Sequence, residues 1–200
     1  MAVLDKSLDI KILNCAKEEF LKYGFIKANL RRICRNAGVT TGAVYTRYKG
    51  KDGLFGALVD DTLLKMNEKV YHSKKIIDID DTNEHLPLYH NSINLLMEFL
   101  YQHYDAFRLL RCCSEGSPYS DFLHVFIEKN TEYIWNYLKT HPDHNQHKVD
   151  YEELHLILTT FWVAIFEPIS HEFSKERAIH YCEIMMEFFN WQAIIKFEEV

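Results

Sequence analysis

The sequence predicts an all-α fold, with a small N-terminal helix-turn-helix region followed by a larger helical region. Three observations lead there. Only 7 Gly and 4 Pro interrupt 200 residues, 48% of which are hydrophobic, so few breakers divide the chain. The apolar residues recur at i, i+3 and i+4 rather than in strict alternation. Near the N-terminus, two very short periodic stretches are separated by a glycine-containing turn, the spacing of a helix-turn-helix.

The first helix is expected over about Lys6 to Tyr23, where Ile12, Leu13, Ala16, Phe20 and Leu21 build one apolar stripe and Gly24 supplies the stop. Asn29 is placed to cap a second helix, Leu30–Ala37, with Leu30, Ile33, Cys34 and Ala37 inward and Arg31, Arg32 and Arg35 outward. Gly38 ends it. Thr40 caps a third helix from Thr41 to about Tyr48, and Lys49-Gly50 breaks the chain again. Lys51 to about Lys75 reads as one long helix, striped by Leu54, Phe55, Leu58, Leu63, Met66 and Val70. The acidic, polar run Asp78–Pro87 is the expected exposed connection. Five more helices are expected near 88–103, 105–115, 118–139, 149–167 and 175–197. They are divided by Asp105, by Gly116-Ser117-Pro118, by the polar run His141 to Lys148, and by Pro168.

Charge is distributed unevenly along this order. The chain carries a net charge of -6, yet residues 1–55 hold 11 Lys+Arg against 5 Asp+Glu, and residues 56–200 hold 12 against 24. A basic N-terminal quarter on an acidic remainder points to a polyanionic partner for the first part alone. Five Cys at irregular spacing make no disulfide framework, and no apolar leader precedes a cleavage-like site, so a cytoplasmic protein is expected. The longest apolar stretch, Leu154 to Phe166, covers 13 positions against the roughly 20 that span a bilayer, so no membrane association is expected.

Enzymatic chemistry finds little support. No nucleophile with base and orienting group is evident, and no Gly-rich phosphate loop, so no catalytic residue and no cofactor is expected. His141, His144 and His147, with Asp143, are ligand types for zinc or nickel, but they sit in a polar run beside Pro142 rather than on one helix face, so no metal site is expected. Cys112-Cys113, in Leu109-Leu110-Arg111-Cys112-Cys113, reads as core packing rather than redox sensing.

The helix-turn-helix carries the function. In Asn36-Ala37-Gly38-Val39-Thr40 the first helix stops, turns through a position where Gly avoids a Cβ clash, and restarts on a residue able to satisfy free amides. Around it stand Ile12-Leu13-Asn14-Cys15-Ala16, Phe20, Tyr23-Gly24-Phe25, Ile33-Cys34, Ala37-Gly38-Val39-Thr40-Thr41-Gly42-Ala43-Val44-Tyr45, Tyr48 and Lys51-Asp52-Gly53-Leu54-Phe55. With these pieces the stretch from Ile12 to Val59 resembles the DNA-binding domain of the tetracycline-repressor (TetR) family of bacterial transcription regulators.

The resemblance implies a helix-turn-helix DNA-binding domain over residues 1–50 and a helical ligand-binding and dimerisation domain over 51–200. It places the third helix in the major groove, with Thr41, Gly42 and Ala43 at the base edges, where small side chains permit close approach. It gives Tyr45 a hydrogen bond to a backbone phosphate and Lys51 another, helped by the dipole of the helix that Lys51 begins. Arg31 stands where members reach DNA from the second helix, Arg47 stands where many carry His, and Thr40 caps the helix on which these contacts depend. Asn29 replaces the usual Thr and Cys34 the usual Ala, both without penalty to the fold. Gly53 is less usual, and in a helix it costs up to about 1 kcal/mol relative to Ala, which predicts a looser hinge.

The second region is aromatic: 22 of the 28 Phe, Trp and Tyr residues follow residue 55. Most are expected as core, and the resemblance adds an apolar ligand pocket whose residues the sequence does not name. Leu154–Phe166 and Ile179, Ile184, Met185, Phe188, Phe189, Trp191, Ile194 and Ile195 form apolar faces broad enough to need a partner. A two-fold dimer through a four-helix bundle would bury them and set two recognition helices about 34 Å apart. The resulting expectation is a homodimeric regulator, a repressor, that binds a double-stranded palindromic operator through residues 29–51 and is released by a small-molecule effector. The same fold without small-molecule control, and a helical enzyme, stay open as alternatives.

Overall fold

The computed structural model describes residues 6–71 and 90–195, all of it helix and connecting turns apart from a single bridge between Asn145 and Ile195. The helices are α1 (Lys6–Lys27), α2 (Leu30–Ala37), α3 (Thr41–Tyr48), α4 (Lys51–Tyr71), α5 (His90–Gln102), α6 (Tyr104–Cys112), α7 (Phe122–Thr140), α8 (Tyr151–Ser170), α9 (Lys175–Phe188) and the single turn α10 (Trp191–Ile194). The fold class is the expected one. The proposed connection Asp78–Pro87, residues 72–75 of the long fourth helix and the last residues of the ninth lie outside the described residues.

Two compact units emerge, Met1–Lys65 with His103–Ser120, and Met66–Gln102 with Asp121–Val200. The chain therefore passes between them three times, within α4, after Gln102 and after Ser120.

The first unit is built on α1. Ile12, Ala16 and Phe20 are fully buried along its stripe, while Leu13 and Leu21 are half-buried. Gly24 breaks the helix at φ 69°, ψ 167°, a left-handed φ that glycine adopts at no steric cost. The break frees the amide of Phe25, which donates to the Cys113 carbonyl at 2.8 Å and ties the end of α1 to the end of α6. Phe20, Phe25 and Phe55 then pack as a triad with centroids 5.1 to 5.8 Å apart, and Tyr119 joins Phe55 at 5.6 Å. Cys113 lies in this core as expected. Cys112 does not: its side chain is exposed, because neighbouring residues on a helix end point about 100° apart.

The second unit is a bundle of α5, α7, α8 and α9 around Phe126, Phe161, Trp162, Ile165 and Phe166, with Ile93, Met97 and Cys182 between α5 and α9. Three boundaries differ from expectation. Proline 168 does not end α8, which continues to Ser170. So near the end its missing N–H removes one bond, its ring is buried, and its carbonyl accepts from the Phe173 amide at 2.9 Å. Helix α7 starts at Phe122 rather than 118, since Ser117 to Ser120 form turns closed by Ser117 N–H to the Ser114 carbonyl and Ser120 N–H to the Ser117 carbonyl. Helix α9 ends at Phe188, nine residues early, with no Gly or Pro to stop it. Phe189 and Trp191 stack on each other and both pack edge-on against Phe161, at 5.3 and 5.2 Å, which an unbroken helix would not permit.

Helix α8 is 20 residues long with a mean hydropathy of 1.2, enough by length and composition to cross a bilayer. Its apolar face, however, is the centre of the bundle. Its N-terminus carries a capping box in which Asp150 and Glu153 bond each other's amides at 2.9 Å.

Candidate nucleic-acid interface

Helix α2 is held at both ends by local chemistry. The Asn29 carboxamide oxygen accepts from the amides of Arg31 at 2.9 Å and Arg32 at 3.3 Å. At the other end Gly38 takes φ 68°, ψ 34°, its N–H bonds the Arg35 carbonyl, and the Val39 N–H bonds the Cys34 carbonyl, a Schellman closure. Two residues later the Thr40 hydroxyl accepts from the Ala43 amide at 3.2 Å and starts α3. Three of the four bounds of the helix pair thus follow from Asn29, Gly38 and Thr40. The fourth, after Tyr48, falls on Lys49 in the left-handed conformation at φ 59°, followed by Gly50 at φ 115°.

The start of α3 is open. Thr41 and Gly42 are exposed, Ala43 is half-exposed, and Thr46 back-bonds to the Gly42 carbonyl at 2.9 Å, leaving the apolar Val44 as the buried anchor. Tyr45 is 57% exposed, and its ring lies over Gly50, where a Cβ would stand 3.2 Å from the ring edge. Arg31 and Arg35, four residues apart on α2, are both exposed.

Three basic residues expected to face outward are placed differently. Arg32 turns back to Glu19, which is 5% exposed: its Nε donates to the carboxylate at 2.7 and 2.9 Å, and its guanidinium lies 4.1 Å from the Tyr23 ring. The carboxylate also accepts the Asn29 amide at 2.8 Å. Burial pushes the Glu19 pKa up, but the Arg32 and Asn29 hydrogen bonds and the Arg32 charge outweigh it, and the carboxyl is held below its usual range. Lys51 places its ammonium on the Phe25 carbonyl at 2.8 Å and the Ile26 carbonyl at 3.3 Å, and 4.4 Å from the Phe25 ring, so it ties the start of α4 to the end of α1. Arg47 pairs through Nε with Asp9 at 3.1 Å.

Gly53 also has a different meaning from the one expected. A Cβ there would lie 1.7 Å from the Tyr48 carbonyl oxygen, so the glycine permits the end of α3 and the start of α4 to meet backbone to backbone. Glu19, Asp9 and the Tyr48 hydroxyl were not legible as site-forming groups. The signal for Glu19 was present in its place beside Phe20 on the apolar stripe of α1, where a carboxylate needs a partner. Among the described residues no group of three or more His, Cys, Asp or Glu converges to hold a metal. His141 instead stacks on Tyr137 at 4.4 Å, and Tyr137 bonds His144 Nδ1 at 2.7 Å.

A capped, exposed second helix on a short glycine turn, with its neighbours tied down by buried pairs, defines a helix-turn-helix unit. Residues 12–58 match the family model of bacterial regulatory proteins, tetR family. The match spans the helix-turn-helix region and about a quarter of the chain. It is 36% identical over 56 residues to the HTH-type transcriptional repressor Rv1474c of Mycobacterium tuberculosis, a match that spans 28% of this chain and 30% of that relative. Solved structures share the fold over nearly the whole chain. A TetR-like transcriptional regulator from Rhodococcus sp. RHA1 has a TM-score of 0.61 at 16% identity, covering 95% of this chain and 97% of that one. NalD of Pseudomonas aeruginosa, described as the secondary repressor of the MexAB-OprM multidrug efflux pump, has 0.66 at 18%, covering 96% and 99%.

Proposed function

We propose that the chain is a cytoplasmic transcriptional repressor that binds a palindromic operator as a homodimer and leaves it when a small-molecule effector binds. The observation that carries this reading is the open N-terminal turn of α3, Thr41-Gly42-Ala43, held by the Thr40 cap and presented beside an exposed Tyr45 on a family-matched helix-turn-helix. Residues 1–50 supply the DNA surface and 51–200 the control region. Thr41, Gly42 and Ala43 read bases; Tyr45 and Arg31 contact phosphates, and Arg47 joins them only as far as its pairing with Asp9 allows. Lys51 joins them only as far as its anchoring to the Phe25 and Ile26 carbonyls leaves a third N–H for the DNA.

Dimerisation is supported by apolar side chains that the bundle leaves outside: Leu156 at 65% exposure on α8, with Ile184 at 42% and Phe188 at 79% on α9. An isologous pairing of these helices would cover them and space the two recognition helices for one DNA turn. Control by an effector needs 1 to 3 kcal/mol of coupling, about 5- to 150-fold in operator affinity.

The test is anisotropy with the duplex flanking this chain's own gene, against scrambled duplex, at several salt concentrations. A preference of about 10³-fold, roughly 4 kcal/mol, supports specific regulation. Equal binding to both duplexes overturns it. Tyr45→Phe is expected to weaken both, and Lys51→Ala to flatten the salt slope if the ammonium meets phosphate.

A further inference from the structure

One acidic side chain of the basic N-terminal unit, Asp9, stands against α3, the proposed recognition helix. The Tyr48 hydroxyl donates to Asp9 Oδ1 at 3.1 Å, and Arg47 Nε stands 3.1 Å from the same oxygen, an ion pair by distance whose N–H is not aligned for a hydrogen bond. Both partners are in the last turn of α3, while Asp9 is in the first turns of α1. The carboxylate and the guanidinium are 29% and 19% exposed, so the pair is largely withdrawn from water. The Tyr48 pKa is pushed up to about 12, first by burial and then by the Asp9 hydrogen bond and charge, which agrees with a hydroxyl held as a donor.

A carboxylate on a surface meant for phosphates lowers affinity for every DNA sequence, and it occupies an arginine that would otherwise bind one. It is advantageous only if it improves something else. Helix α3 is two turns long, and Thr40 fixes its front. Its far end is secured by the left-handed cap at Lys49, by the close approach at Gly53, and by Asp9. Asp9 alone of these grips side chains, and so resists rotation of α3 about its own axis.

We infer that Asp9 is a positioning residue for base reading: by holding Tyr48 and Arg47 it sets the rotation of α3 and hence the angle at which Thr41, Gly42 and Ala43 meet the bases, giving up general affinity for specificity. This rests on the proposed DNA-binding reading. It predicts opposite signs for the two kinds of DNA, whereas loss of a negative charge alone predicts the same sign for both.

The experiment uses the full chain, wild type, Asp9→Ala, Asp9→Asn and Tyr48→Phe. Amide hydrogen exchange is measured without DNA, and binding to the flanking duplex and to scrambled duplex is measured at several salt concentrations. Exchange is expected to accelerate in Asp9→Ala over Tyr45–Lys49 while α2 keeps its protection. Affinity for the flanking duplex is expected to fall about tenfold, and that for scrambled DNA to hold or rise with a salt slope steeper by about one per protomer, as Arg47 is released to phosphate. Tyr48→Phe keeps the charge, so it should lower specificity without steepening the slope. Asp9→Asn, which keeps an acceptor for the hydroxyl, should recover part of the loss. Unchanged exchange over Tyr45–Lys49, or an equal rise in affinity for both duplexes, overturns the inference. A wild type without preference between the duplexes defeats the DNA reading instead, and the exchange measurement still decides whether Asp9 holds α3.

Discussion

The two units are held together by different means. In the first, beside the triad of Phe20, Phe25 and Phe55, helices are joined by directed polar contacts: Glu19 to Arg32, Asp9 to Tyr48, Lys51 to two carbonyls, Lys17 to Asp105 at 2.6 Å, and Tyr119 to Asp60 at 2.6 Å. In the second, helices meet mainly through rings, with Phe126 on Trp162 at 4.7 Å and Phe161 against Trp162, Phe189 and Trp191. Hydrogen bonds prescribe distance and angle, whereas apolar packing prescribes volume and leaves orientation softer. On the proposed function, a surface that must match a rigid groove needs the first kind of fastening, and a region proposed to take an effector or a partner copy can use the second.

The contrast can be broken most strongly at Trp162, which is fully buried. Trp162→Ala should destabilise by about 3–5 kcal/mol in thermal or denaturant unfolding, while Trp162→Phe, closer in volume, should lose much less. Gly53→Ala comes next. Because the clash is with backbone, nothing nearby yields cheaply, and a loss of about 1–3 kcal/mol is expected, despite the higher helix propensity of Ala. A Gly53→Ala protein as stable as wild type would show that α3 and α4 do not meet so closely.

Glu19→Gln tests the polar fastening with hardly any change of volume. The Glu19 pKa is lowered in the folded state, so its contribution is fully present above the usual value of 4.5 and is lost as pH falls through the lowered one. The melting temperature of the variant should therefore fall short of wild type at pH 6 to 7, with the gap closing on acidification below about 4.5. A gap that stays constant down to pH 3 would mean that the ionised pair contributes nothing. The smallest expected effect is Thr40→Ala, about 1 kcal/mol through the lost cap, read as fraying of α3 in hydrogen exchange and as weaker operator binding.

The same division explains what was legible in the sequence. Both helices of the pair begin, and α2 ends, at the expected residues because Asn29, Gly38 and Thr40 act on amides and carbonyls within five residues of themselves. The Phe188-Phe189 break went unread because its outcome depends on rings brought from elsewhere in the chain, and Pro168 because so near a helix end its missing N–H removes only one bond. Arg32 and Gly53 were misread for a related reason: an arginine looks exposed and a glycine looks permissive until the buried carboxylate or the facing carbonyl is in place. The side chains grouped at the start of α3 follow from the motif, but which nearby cations remain available to DNA depended on Glu19, Asp9 and the Phe25 and Ile26 carbonyls.

Gly50 has a consequence for how the interface meets its target. Its bare Cα gives the Tyr45 ring a place to rest, so an aromatic side chain more than half exposed to water is nonetheless confined before any DNA arrives. Immobilising a free side chain at an interface costs on the order of 0.5–1.5 kcal/mol, and here most of that ordering takes place during folding. In the proposed interface Tyr45 thus offers its hydroxyl as a rigid peg, and a bulkier residue at position 50 would turn it into a swinging one without touching the hydroxyl itself.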